Sequence, residues 1–215
     1  MQTDRNKIAV DIFNKCATEY QLKYMNVDLY KPSLNLFCDS IKKENPEILE
    51  LASGPGNITR YLLERRPDFK ILGTDSAPNM VELAAINNPE AEFKQMDCRD
   101  IYFLEKKCDG IICGFGLPYL SKEEAVKLIS DAALLLNDRG VIYLSTMKDD
   151  YEKSRVVKSS SGEYELYMYF HQEDYLAEAL KGNGLKIIDI QHQDYSTQDE
   201  TKITDLIIIA GKNLL

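Results

Sequence analysis

The chain has 215 residues, 44% of them apolar, enough for one sizeable core and too many for a disordered tail. Its formal net charge is −9, with Asp and Glu scattered along the chain, a field that repels polyphosphate and argues against a nucleic-acid partner. The cysteines Cys16, Cys38, Cys98, Cys108 and Cys113 are odd in number and show no C-x-x-C pair, which argues against a disulfide framework and a zinc site.

No long apolar stretch follows the N-terminal charges, and the longest apolar run, Leu206 to Ala210, is far too short for a bilayer. The expectation is a cytoplasmic protein with reduced thiols, no metal and no membrane partner, acting as a monomer or homodimer.

In chain order, Ile8, Ile12 and Ala17, then Leu34, Phe37 and Ile41, recur at roughly helical spacing and predict a helical cap. Glu47 to Ala52 is a buried strand followed by a glycine loop, and a helix from Ile58 to Arg66 stops before Pro67. The second strand, Lys70 to Thr74, ends at Asp75; its helix, Pro78 to Asn87, has Ser76 near the cap and proline in the first turn. Ala91 to Met96 and Gly110 to Cys113 are the third and fourth strands. Ser121 and Glu124 form an S-x-x-E capping box ahead of the helical stripe Val126, Ile129, Ala132, Ala133, Leu136. Asp138, Arg139 and Gly140 turn the chain into strand Val141 to Thr146.

The pattern then changes. Arg155 to Lys158 and Glu163 to His171 read as two arms around a turn from Ser159 to Gly162. A helix from Glu173 to Lys181 ends at Gly182-Asn183-Gly184. Two last strands, Lys186 to Ile190 and Asp205 to Ala210, are joined by a polar loop carrying Tyr195. A connection without a helix suits an antiparallel pair. Such alternation predicts one α/β domain. Its parts are a cap or lid over 1–44, a binding core over 45–147, a hairpin insertion over 148–171, and a last helix with two strands over 172–215.

The strongest local signal is ELASGPGNIT, Glu50 to Thr59, where a buried strand meets a helix and open α/β sheets bind ligands. Gly54 and Gly56 let the backbone turn sharply against a ligand. Glu50 is an acid ahead of that loop, suited to a cationic group such as an amino-acid ammonium. Asp75, 19 residues past Gly56 and ending the next strand, can accept from both hydroxyls of a ribose. Taken alone, Asp97 is as well explained by turn capping, and Cys113 by core packing.

With these residues in place, the chain resembles the class I S-adenosylmethionine-dependent methyltransferases from about Phe13 to Lys212. Their acid-x-Gly-x-Gly-x-Gly loop has Ala52 here for its first glycine and Asn57 after Gly56. GTDSAPNMVELA, MDCRD and CDGIICGFGLPYL are similar to the next three motifs. The resemblance implies a Rossmann-like seven-stranded sheet in three α/β/α layers, mostly parallel, with an antiparallel C-terminal strand. It implies S-adenosylmethionine as cofactor, Asp75 on the ribose, and Ser76, Ala77 and Met80 near the adenine. Asp97 would take the adenine amino group, the Cys98 amide the ring edge, and Cys113 and Gly114 would border the sulfonium.

The reaction expected is methyl transfer to an O, N or C atom of a small molecule, governed by alignment and exclusion of water. Tyr167, Tyr169 and His171 share one face of a hairpin arm, and His171 is the candidate base. Tyr20, Tyr24, Tyr30 and Tyr119 are further candidates to line the acceptor pocket. The alternatives are an NAD-dependent oxidoreductase, which needs a small third residue where Thr59 stands, and a non-catalytic cofactor-binding partner protein. The amine-methylating DNA enzymes carry (Asp/Asn)-Pro-Pro-aromatic where Cys113-Gly114-Phe115-Gly116 stands here.

Overall fold

The computed structural model describes residues 4–159, 162–196 and 202–213. Three N-terminal helices, α1 (Arg5–Lys15), α2 (Ala17–Tyr24) and α3 (Lys31–Ser40), precede β1 (Glu47–Leu51), α4 (Asn57–Arg65), β2 (Lys70–Asp75), α5 (Pro78–Asn87), β3 (Glu92–Gln95) and β4 (Cys108–Gly114). The chain continues through α6 (Lys122–Leu135), β5 (Leu136–Lys148), β6 (Arg155–Lys158), β7 (Glu165–Met168), α7 (Glu173–Gly182), β8 (Leu185–Ser196) and β9 (Lys202–Lys212).

Seven strands form one sheet in the order β3-β2-β1-β4-β5-β9-β8. The five strands from β3 to β5 are parallel, and β9 runs antiparallel between β5 and β8. The buried run of β4 is what a strand covered on both faces requires. Along β5 the side chains alternate: Ile142 and Leu144 join the core beneath α6 and α7, and Val141 and Tyr143 the core beneath α3 and α4. The edge strand β3 is mostly exposed and carries Glu92 and Lys94, a charged edge that discourages further pairing. The capping box at Ser121 and Glu124 is formed in full.

Three expectations are corrected. The first concerns α3, which is a layer helix rather than part of a cap. Leu34, Phe37, Cys38 and Ile41 pack on Ile48, Leu62, Ile112 and Tyr143. Among the described residues α1 and α2 pack over the start of α5, through Val10 and Phe13 of α1 and Ala17 and Tyr20 of α2 against Ala77 and Met80. Second, Ile8 is 40% exposed, and Asn6, Ala9 and Ile12 make the inward stripe of α1. Third, Tyr195 lies in β8, because pairing with β9 extends from Leu185 to Ser196 through a polar stretch that reads as loop. The expected turn at Ser159–Gly162 contains residues 160–161, which lie outside the described ones.

Candidate cofactor crevice at the strand tips

Strand order reverses between β1, which leads outward to β2 and β3, and β4, which leads to β5. A crevice opens at the carboxyl ends of strands at such a reversal. Here Ala52, Gly54, Asp75, Ser76, Met80, Cys98 and Gly114 line it. Sequence reasoning had selected all seven.

The backbone at the tips is unusual. Ala52 has φ 51° and Phe115 φ 58°, both in the left-handed region that non-glycine residues avoid. Both border the crevice, as strained residues at binding sites often do. Gly56 has φ 78° and begins α4, and a Cβ there would fall 2.2 Å from the Asn88 side-chain nitrogen, which donates to the Gly56 carbonyl. Gly56 therefore locks α4 to α5 behind the loop, outside the lining. At Ala52 a glycine would relieve a left-handed cost of about 1–2 kcal/mol, less about 0.4–1 kcal/mol for its freer unfolded chain. Ala52→Gly is expected to raise Tm by roughly 2 °C in thermal unfolding.

Asp75 anchors the loop. One carboxylate oxygen accepts from the Gly54 N–H and the other from the Ala77 N–H, both at 2.9 Å. Burial raises its pKa, against the pull of those backbone donors. Glu50 is 1% exposed and accepts from the Thr59 hydroxyl of α4, one turn past the glycine loop. Burial pushes its carboxyl up to about 8, and the neighbouring Asp75 adds to the rise. Glu50 lies behind the crevice wall rather than in it. Cys113 is likewise fully buried beneath the wall, its thiol pushed up to about 12 by burial.

Asp97 departs from expectation. It caps the 3-10 turn Cys98–Phe103, and both its oxygens accept from the Arg99 guanidinium at 2.7–3.1 Å. Arg99 also reaches Asp4 at the start of α1 and Glu124 at the start of α6. Asp97 lines an outer recess that shares Asn6, Val10, Ser76 and Met96 with the crevice.

The roof over the crevice is aromatic and comes from α1 and α2. Phe13 meets Tyr20 edge-on at 5.6 Å and Tyr119 at 4.9 Å, and Tyr20 packs on Tyr24 at 4.6 Å. Asn6 donates to the Tyr119 carbonyl, while its own side-chain oxygen is buried without a partner. Sequence reasoning missed Asn6, Ala9, Val10 and Phe13. Their i, i+3, i+4, i+7 spacing was the available signal.

His171 is placed elsewhere. It is fully buried, its Nε2 donates to the Leu117 carbonyl, and its Nδ1 accepts from the Tyr175 hydroxyl. Burial lowers its pKa to about 4. With both nitrogens engaged, it offers no base to a substrate. Tyr167 and Tyr169 also face away from the crevice. Arg5 of α1 lies 3.7 Å over the Tyr167 ring, and the hairpin packs on α1 through Leu166. Tyr30 stands beyond Phe115, ring to ring at 5.1 Å. The described residues contain no group of three His, Cys, Asp or Glu fit to hold a metal, and no helix long and apolar enough to cross a membrane.

Residues 48–140 match the family model described as a methyltransferase domain. Over 123 residues the chain is 28% identical to a demethylmenaquinone methyltransferase of Thermotoga maritima, covering 56% of this chain and 54% of that one. Over 127 residues it is 30% identical to a trans-aconitate 2-methyltransferase of an Enterobacter species, covering 59% and 49%. The chain thus spans about half the length of these curated relatives. The structure of magnesium protoporphyrin IX methyltransferase from Synechocystis PCC 6803 with bound S-adenosylmethionine superposes with a TM-score of 0.70, at 20% identity and 98% coverage of both chains. Sheet order, glycine loop and sequence match point the same way: the chain is similar in sequence over residues 48–140 to methyltransferase domains, and in fold to a solved methyltransferase.

Proposed function

We propose that the chain binds S-adenosylmethionine in the crevice and transfers its methyl group to a small-molecule acceptor. The observation that carries this reading is Asp75. A carboxylate offers about four acceptor sites, and the Gly54 and Ala77 amides use two. The remainder suit a ribose diol laid over the glycine loop.

Met80, Met96 and Cys98 supply an apolar slot for the adenine, and the unpartnered Asn6 oxygen an acceptor for a donor group of the cofactor. Glu50, behind Ala52, is the nearby acid that a methionine ammonium favours. Asp97, held by Arg99, would serve the adenine only by releasing part of that pairing.

When bound, S-adenosylmethionine supplies a methyl on a sulfonium that departs as a neutral thioether. The chain's contribution is alignment and the exclusion of water, for which the Phe13, Tyr20 and Tyr119 roof is suited. As closed here the crevice encloses about 80 Å³, against roughly 300–1,000 Å³ for small-molecule sites. The α1–α2 cap therefore moves outward to admit the cofactor. A small acceptor accords with the net charge of −9, and the two relatives are named for small-molecule substrates. Five unpaired cysteines accord with a cytoplasmic setting.

Calorimetry with S-adenosylhomocysteine and with NADH tests the reading. Heat with the first alone is expected, together with a change in hydrogen exchange confined to α1 and α2, the helices that shift to admit the cofactor. Heat with NADH alone would overturn the proposal.

A further inference from the structure

Asp205 lies on β9 beside the cap and plays no part in the cofactor contacts above. It is 0% exposed, and its cross-strand neighbours are Met147 of β5 and Gln193 of β8. One carboxylate oxygen accepts from the Tyr30 hydroxyl at 2.7 Å, and the other is buried with no partner. A buried polar atom without a partner costs about 1–3 kcal/mol, more when charged, so its presence in a folded chain calls for a use.

Its position supplies one. Tyr30 leans on Phe115, and Phe115 lines the crevice next to Gly114 and Gly116. Asp205 therefore stands one aromatic layer beyond the crevice wall, on the side of β4 and β5 and away from the ribose anchor on β2. Its one hydrogen-bond partner, Tyr30, belongs to the turn Asp28–Tyr30 that joins α2 to α3. Outward movement of α2 would pull on that turn and open a path to the carboxylate.

Resting on the methyl-transfer reading, we propose that Asp205 is the acceptor-site base. It receives a hydrogen bond, and then the proton, from an acceptor whose nucleophilic atom carries hydrogen: an amine N–H or a hydroxyl O–H on a flat, apolar body. The flanking rings of Phe115, Tyr30 and Tyr195 suit such a body. In the step, the acceptor's lone pair bonds to the methyl carbon and the carbon–sulfur pair returns to sulfur. The acceptor's proton passes to the free oxygen of Asp205, so the sulfonium charge and the carboxylate charge vanish together.

The titratable groups facing Asp205 are Tyr30, Tyr143 and Tyr195. Burial raises its carboxyl to about 6, and the Tyr30 hydroxyl opposes the rise. A base with a pKa near working pH is the efficient kind.

The test uses the full chain and two probes, S-adenosylhomocysteine and sinefungin, in which a carbon bearing an ammonium group replaces the methyl sulfonium. Calorimetry at pH 7.5 is expected to show wild type preferring sinefungin by on the order of tenfold, the attraction of a carboxylate nearby in a site of moderate dielectric. Asp205→Asn is expected to lose the preference while keeping its affinity for S-adenosylhomocysteine within about twofold. Tyr30→Phe removes the partner and leaves the carboxylate, so the preference persists, and this variant serves should the asparagine form fail to fold. Retention of the preference in Asp205→Asn, its loss in Tyr30→Phe, or an equal fall for both probes in Asp205→Asn would overturn the assignment, the last marking a purely structural pin. Absence of binding by either probe to wild type overturns the cofactor reading itself, a separate outcome.

Discussion

Asp75→Asn is expected to weaken binding of S-adenosylhomocysteine by about two orders of magnitude and to lower Tm. The carboxylate meets two donors already, the amides of Gly54 and Ala77, and under the cofactor reading it meets two more on the ribose. Asparagine keeps one acceptor oxygen and puts an NH2 where the other was. That NH2 faces an amide N–H, so the variant gains a donor–donor conflict as well as losing an acceptor. Hydrogen bonds to a charged acceptor contribute about 1.5–3 kcal/mol each, and losing one or two of them corresponds to roughly 10- to 10⁴-fold in affinity. Calorimetry gives the affinity. Unfolding of the ligand-free variant gives the loop's share, expected to be about 1–2 kcal/mol because the amides can partly turn to water. An unchanged affinity would remove Asp75 from the ribose and with it the central support for the proposed function.

The parts of this site that were legible in the sequence are those fixed by local geometry. A strand, a glycine turn and an acid at the end of the next strand specify Gly54 and Asp75 over a stretch of about 25 residues. The helix from Pro78 to Asn87 was likewise readable from proline in its first turn. What the sequence did not disclose depends on distant partners. Asp97 turns to Arg99 because that guanidinium is itself drawn between Asp4, 95 residues away, and Glu124, 25 residues away. His171 looked available as a base until Leu117 and Tyr175 occupied both nitrogens. The two hairpin tyrosines serve Arg5 and α1, a contact across the length of the chain. In α1, a short helix of mixed polarity, the isoleucines at positions 8 and 12 both suggested the inward face, whereas packing kept Ile12, turned Ile8 outward and brought in Asn6 and Ala9. Asp205 reads as the polar start of an apolar strand. Only the pairing of β9 between β5 and β8, with Tyr30 laid over it, shows a buried acid.

Glu50→Gln is expected to make the ligand-free protein more stable at pH 8 and a poorer binder of the cofactor. In the folded state burial holds the Glu50 carboxyl up to about 8, from an ordinary value of 4.5. Below pH 4.5 both folded and unfolded forms keep the proton, and the group adds no pH dependence. Between 4.5 and 8 the unfolded chain releases it while the folded chain retains it, so stability falls as pH rises across that window. Above about 8 both forms are ionised and the loss is complete. At about 1.4 kcal/mol per pH unit the full loss is a few kcal/mol. Glutamine has nearly the same shape, can still accept from the Thr59 hydroxyl, and carries no such penalty. Its advantage in Tm is expected to be nil near pH 4 and to reach several degrees at pH 8, at roughly 2–4 °C per kcal/mol for a chain of this size. A smaller downward slope remains in the variant from Asp75 and Asp205, whose pKa values burial also raises. Affinity moves the other way: without an ionisable acid behind Ala52, S-adenosylhomocysteine loses the partner of its ammonium and binds on the order of tenfold more weakly. A site residue that costs stability and supports binding gives these opposite signs. Parallel losses of stability and affinity would make Glu50 a structural group bound to Thr59 and nothing more.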